Sequence, residues 1–425
     1  MLSQVIKLGK SSGLKSAALM TIGNVGSTGV AAIAMIIFSR QLGPEQFGIF
    51  SVLFSLMLIL SRIGDMGINI AVSRAIAQNH DSPKAIVSYS QNGSYLKALI
   101  MSVVIVLGLI GAPYVTSNLL NLNSSYAPLV RLVIVLSTSV VIYEYINSLL
   151  QARQRFGLSV ATNTIQSLLK LALALISLIV AVNLEVITLS YMLLPLLGAS
   201  VGLFVISGRE LLPRYNPKIT KSIVSVVRWT SLSILAGALA ENIDVLIVQN
   251  YLSTHETGLY AAATRIATVA SLIGWSLGTV LNMRVAQYKD KRNLDQYLKK
   301  GTMLALAALI LTLAIILVTT PLVNLTIGTS YLSVVPTLNI LLISTAILTA
   351  TTPFVALFYV FDYPRYFAIS GALTALTLIT TDLILIPAFG LVGAGWARVI
   401  TRTVVIIYTL STAYSEYQKH YGKKN

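Results

Sequence analysis

Apolar residues run through this chain in long, nearly unbroken stretches, and the polar positions gather in short segments between them. The runs reach about 18 residues or more, the length a helix needs to cross a bilayer. They are continuous rather than alternating, which argues against a β-barrel. The pattern predicts twelve spans, roughly 14–38, 47–77, 92–112, 128–152, 157–182, 187–206, 222–250, 258–286, 298–321, 334–361, 364–386 and 389–413. The expected fold is all-α and polytopic, with short connections and no segment outside the membrane large enough to fold alone.

The polar segments carry the orientation. One alternating set of loops holds Lys84; Arg153 and Arg155; Arg209, Arg214, Lys218 and Lys221; Lys289, Lys291 and Arg292; and Arg365. The termini add Lys7, Lys10, Lys15, Lys419, Lys423 and Lys424, while the other set of loops has only Arg40. Both termini are therefore expected in the cytoplasm. The first run is read as a retained span, because no small-residue cleavage site follows it. An internal repeat runs through the chain: "QLGPEQFGIF" (41–50) aligns without gaps on "YLSTHETGLY" (251–260). The same offset pairs Gly48 with Gly258, Gly64 with Gly274 and Arg74 with Arg284, and "YLK" recurs at 95–97 and 297–299. Each half then holds six spans in the same orientation, a parallel repeat of the kind transporters use, with expected lobes 1–208 and 209–425.

Composition sharpens this picture. The chain of 425 residues is 56% hydrophobic and 10% charged, against about 25% charged for soluble domains. It has no cysteine, which excludes disulfides, thiolate metal sites and a cysteine nucleophile. Three scattered histidines (His80, His255 and His420) form no ligand set, so no metal or cofactor is expected. A net charge of +16 in a soluble protein would suggest nucleic acid; here the basic residues sit mostly in loops, so the partner is the membrane and its lipids. "GKSS" (9–12) has Gln4 where a phosphate loop needs glycine, so direct ATP hydrolysis is not expected. "GNVGSTG" (23–29) spaces three glycines by three, for close helix packing or a gate-lining helix.

Charges inside the spans are the sharper signal, because such residues usually face a bundle interior or a wet cavity. In "SRIGDMGINIAVSR" (61–74), Arg62 lies about 15 residues into the second span, near the midplane. Asp65 follows at i+3 on the same face, where the two can partly neutralise each other. They are read as lining a cavity, against the alternative of a structural pair. Asp244 and Arg265 flank the turn at 251–257 at similar depth and could pair, with Glu241 one turn deeper than Asp244. Glu144 and Lys170 fall at nearby depths on adjacent spans and are expected to form a structural salt bridge. Arg398 and Arg402, at i,i+4, suit an anionic group, with Asp382 as one partner for Arg398.

Three stretches carry a family resemblance across the whole chain. "SRQLGPEQFGIFSVLFSLMLILSRIGDMGINIAVSRAIAQ", "ENIDVLIVQNYLSTHETGLYAAATRI" and "IPAFGLVGAGWARVI" resemble, in order and spacing, polysaccharide flippases of the Wzx type, within the superfamily that also holds MATE antiporters and MurJ. The resemblance implies movement of a polyprenyl-pyrophosphate-linked oligosaccharide from the cytoplasmic to the outer leaflet. It also implies two lobes rocking around a cavity lined mainly by spans one, two, seven and eight. Arg62, Arg265, Arg398 and Arg402 are the expected substrate-binding residues, and Asp65, Glu241 and Asp244 the cavity or ion-coupling acids, for H+ or Na+. Arg398 and Arg402 depart from the small or apolar residues expected after the Gly-Ala stretch. A polysaccharide polymerase and a chain-length regulator of the same pathway are the implied protein partners. Two rivals stand beside this reading. A MATE-type cation–drug antiporter should prefer an acid-rich cavity, and here arginines balance the acids. A membrane-embedded polymerase should carry a sizeable outer loop, and the longest here is 113–127, without charge.

Overall fold

The computed structural model describes residues 12–180, 182–285, 291–361 and 365–421, and among them every long regular element is a helix. In chain order these are α1 (Ser12–Asp65), α2 (Ile68–Gln78), α3 (Pro83–Tyr114), α4 (Ala127–Ala152), α5 (Phe156–Ile179) and α6 (Leu184–Ser200). Then follow α7 (Pro217–Tyr251), α8 (Thr254–Val285), α9 (Lys291–Ala314), α10 (Val335–Val355) and α11 (Arg365–Tyr421). Nine helical stretches among the described residues are long and apolar enough to cross a membrane. Two of them, Leu19–Asp65 and Arg365–Tyr421, are far longer than one crossing needs. Each of these bends at a non-helical glycine, Gly43 (φ 70°) or Gly390 (φ 58°). Pro44 sharpens the first bend by removing a backbone donor. Lys7, Lys10, Lys289, Lys423 and Lys424, counted above as cytoplasmic, lie outside the described residues.

Local chemistry explains where helices start. The Ser82 hydroxyl caps α3 by accepting from Ala85 N–H, with Pro83 at the first helical position. Asn183 caps α6 by accepting from Val186 N–H at 2.9 Å.

Packing divides the chain into two compact units. The first takes the residues up to Ala34 together with Ile49–Asn242; the second takes Met35–Gly48 with the residues from Ile243 on. A single cut at 208/209 does not describe this grouping, for a visible reason. The segment 209–220 is strapped to the first unit: Gln91 donates to Arg209 O at 3.0 Å, and the Asn92 carboxamide oxygen accepts from Asn216 N–H at 2.7 Å and Thr220 Oγ1 at 3.0 Å. Arg153 forms an ion pair with Glu210 on the same strap. The core of the first unit lies beside it, where Ile68, Val72 and Ile76 of α2 meet Tyr145, Ile146 and Leu149 of α4.

In the second unit the repeat explains itself. Gly48 and Gly258, aligned by sequence, face each other: a Cβ on Gly258 would collide with Pro44 O, and one on Gly48 with Thr254 O. Two helix starts meet here backbone to backbone, which only glycine permits. Gly258→Val should therefore overpack this contact and destabilise the protein by about 1–3 kcal/mol, read as a lower melting temperature in detergent, whereas Gly371→Ala, where a Cβ meets nothing within 4 Å, should have little effect.

Candidate functional site

In the first unit, α1 ends at Asp65, and the chain turns through Met66 and Gly67 with positive φ (43° and 94°). Asp65 holds this turn together. Its Oδ2 accepts from Gly67 N–H at 3.3 Å, and its Oδ1 from Asn69 N–H at 3.0 Å. A carboxylate suits the donors exposed at the start of α2. Lys97 of α3 completes the set at 2.6 Å, and both side chains are only 6% exposed. Asp65 is thus a buried helix-start residue with its lone pairs engaged. The expectation that it faces a wet cavity is corrected, because the helix break demands it locally.

Arg62 lies one turn earlier and behaves differently. Its side chain is 38% exposed, and Nη1 donates to Glu144 Oε2 on α4 at 2.9 Å. The expected Arg62–Asp65 pairing is replaced by two separate pairs between helices. The expected Glu144–Lys170 salt bridge is corrected as well: Glu144 holds Arg62, and the Lys170 ammonium lies 5.0 Å above the Tyr191 ring. Similar expected depth on adjacent spans does not fix a pairing, because the rotation of each helix decides what its side chains meet. Glu241 of α7 is exposed and is an electrostatic neighbour of Glu144.

A row of neutral polar groups extends from this pair. Asn147 Nδ2 donates to Asn163 Oδ1 at 2.8 Å, and Asn163 Nδ2 to Asn24 Oδ1 at 2.7 Å. Tyr143 donates to the same Asn163 oxygen, and Ser159 to Asn147 Oδ1 at 2.5 Å. The row ties α1, α4 and α5 together with amides and hydroxyls, some of them partly exposed. Partly exposed polar groups at span depth suit a water-filled face better than lipid.

In the second unit, Asp244 of α7 is 0% exposed; its Oδ1 accepts from Val245 N–H at 2.9 Å, and its Oδ2 holds two side-chain partners. Tyr260 of α8 donates to its Oδ2 at 2.5 Å; Arg398 of α11 donates to the same oxygen from Nη2 at 2.5 Å and Nε at 2.9 Å. The partner expected for Asp244, Arg265, sits half-buried on α8; the cation the carboxylate holds is Arg398. Arg402, one turn further on, is partly buried. Asp382, named above as a partner for Arg398, is 0% exposed, and among the described residues neither of its oxygens has a hydrogen-bond partner. It is an electrostatic neighbour of both Asp244 and Arg398. Among the described residues no group of three or more His, Cys, Asp or Glu is placed to hold a metal.

Lys97, Tyr260 and the amides of the row escaped the sequence reading. Lys97 carried a usable signal, an ammonium inside a predicted span. The amides and Tyr260 carried none, because polar residues of that kind also serve as ordinary packing contacts between helices.

Ionised groups kept at this depth, some half-open and some sealed, do nothing for contact with lipid and suit the passage of a polar cargo. Fold and charge together define a polytopic membrane transporter. The chain belongs to the polysaccharide biosynthesis protein family, which matches residues 14–282. A probable low-salt glycan biosynthesis flippase of Haloferax volcanii, Agl15, is 24% identical over 287 residues, which is 66% of this chain and 57% of that protein. The match therefore spans less than two thirds of that relative's length. Two solved structures share the fold. The lipid II flippase MurJ, in an inward closed conformation, superposes with a TM-score of 0.78 at 13% identity over 95% of this chain and 90% of its own. An inward-facing multidrug resistance MATE family transporter of the MOP superfamily gives 0.72 at 13% identity, over 94% and 99%.

Proposed function

We propose that this protein moves a polyprenyl-pyrophosphate-linked oligosaccharide from the cytoplasmic to the outer leaflet of the cell membrane, with both termini in the cytoplasm. It acts as a transporter without catalysing bond chemistry, and passes its cargo to a polysaccharide polymerase and chain-length regulator. The observation that carries this reading is Arg62: a half-exposed guanidinium at span depth, beside a row of amides, in a chain of this family. The guanidinium fork suits a phosphate group, and the amides suit sugar hydroxyls. The lipid tail stays in the bilayer while the head crosses. With the cytoplasm negative, moving about two negative charges outward at 100 mV is favoured by roughly 4.6 kcal/mol, from about 2.3 per charge. Asp382 adds a seat for coupling, since a buried carboxyl without a hydrogen-bond donor among the described residues suits a proton or Na+.

Purified protein in liposomes tests the reading. Undecaprenyl-pyrophosphate-linked oligosaccharide supplied to one leaflet should appear in the other at a rate above that of empty vesicles. No movement and no binding would sink it. A cation–drug antiporter would instead confer resistance to cationic dyes in cells stripped of their own pumps, which is not expected here.

A further inference from the structure

The two ion pairs of the first unit are built for different purposes. Asp65–Lys97 is sealed at 6% exposure and fixed by two backbone donors. Arg62–Glu144 is open, at 38% and 23%, and among the described residues one hydrogen bond holds it. A guanidinium has five donors and can serve an incoming anion along a whole edge.

Charge balance then poses a problem. Among the described residues, the groups that act on Glu144 are Arg62 and Asp65 on α1, Lys97 on α3, Tyr143 beside it on α4 and Glu241 on α7. Lys170 of α5 is engaged over Tyr191. Among these described groups two cations thus meet three carboxylates, and a pyrophosphate brought to Arg62 would be repelled unless one carboxylate gives way. Asp65 is locked, and Glu241 does not form the ion pair with Arg62. Glu144 occupies the position the anion needs.

We infer that Glu144 is the resident counter-ion of an anion seat at Arg62, displaced when a phosphate-bearing head group binds. Resting on the flippase reading, this assigns Glu144 a role in regulating the seat: it keeps Arg62 neutralised while the site is empty and takes up a proton as the cargo displaces it. Head-group binding to the wild type is therefore linked to proton uptake, and it tightens as pH falls.

The test is binding of undecaprenyl pyrophosphate, without sugar, to the full-length protein in nanodiscs across pH 5.5–8. Glu144→Gln should bind about tenfold tighter than wild type near neutral pH, the order of one charge-assisted hydrogen bond no longer competed for. It should also lose the part of the pH dependence that exceeds the probe's own titration, since the variant cannot take up that proton. A purely structural salt bridge gives the opposite sign: the variant then binds equally or more weakly, with the wild-type pH profile, and the inference falls while the flippase reading stands. If folded wild-type protein binds no probe at any pH, the flippase reading itself falls, and this inference with it. Should Glu144→Gln not fold, Glu144→Asp replaces it. Its shorter arm weakens the competitor but keeps the charge, so binding tightens by a smaller factor and stays pH-dependent; unchanged or weaker binding overturns the inference.

Discussion

Asp244→Ala is expected to cost the protein about 3–5 kcal/mol, the penalty for removing one partner of a buried ion pair. The cost comes from what remains. Arg398 loses an acceptor that takes both its Nε and Nη2, and Tyr260 loses the oxygen to which it donates. At 0% exposure around Asp244 no bulk water reaches the vacancy to compensate. The measurement is thermal unfolding in detergent, followed by light scattering or tryptophan emission. Asp382→Asn supplies the contrast within the same cluster. Among the described residues its carboxyl has no hydrogen bond to lose, so stability should stay within about 1 kcal/mol of wild type. If Asp382 is the coupling seat, transport by Asp382→Asn no longer responds to an imposed H+ or Na+ gradient. Equal melting temperatures for Asp244→Ala and wild type would show that the Asp244–Arg398–Tyr260 cluster does not hold the second unit together. A gradient response intact in Asp382→Asn would remove Asp382 from the coupling.

The contrast also marks what the sequence could and could not reveal. Helical class, membrane character and the aligned glycines were legible because each depends on local pattern. A run of apolar residues can satisfy its backbone in lipid only as a helix, and Gly48 and Gly258 recur because the same close approach needs both. Partners of intramembrane charges were not legible. Asp65 looked like an outlier in a greasy helix, yet it is demanded by a break at Gly67 that no periodicity announces. Depth placed Glu144 near Lys170 and Asp244 near Arg265, but azimuth sends Glu144 to Arg62 and Asp244 to Arg398. The second of these pairs joins residues 154 positions apart, a separation at which only the packed fold decides the contact. The same limit applies to the expected lobe boundary. The strap at 209–220 reads as a basic loop until Gln91 and Asn92 are seen to hold it.

Arg62→Ala is expected to reduce glycan export by about one and a half to three and a half orders of magnitude while leaving the amount of protein in the membrane normal. The size follows from the about 2–5 kcal/mol lost when one member of a hydrogen-bonded charge pair at a binding surface is truncated, with tenfold per 1.4 kcal/mol. Two further variants separate recognition from architecture. Arg62→Lys keeps the charge but loses the planar fork, so it should retain an intermediate level of export. Arg62→Ala combined with Glu144→Ala removes both ends of the pair and leaves no stranded Glu144 carboxylate behind, so stability should recover relative to Arg62→Ala alone. On the proposed function export should not recover, because the guanidinium proposed to hold the head group is still missing. Surface display of the glycan, compared at equal protein levels, reads the first quantity, and detergent melting reads the second. A double variant that restores both would mean that Arg62 serves only to neutralise Glu144. The half-open position of the guanidinium favours the other outcome, since a purely structural pair at this depth gains from the closure that Lys97 and Asp65 achieve a turn away.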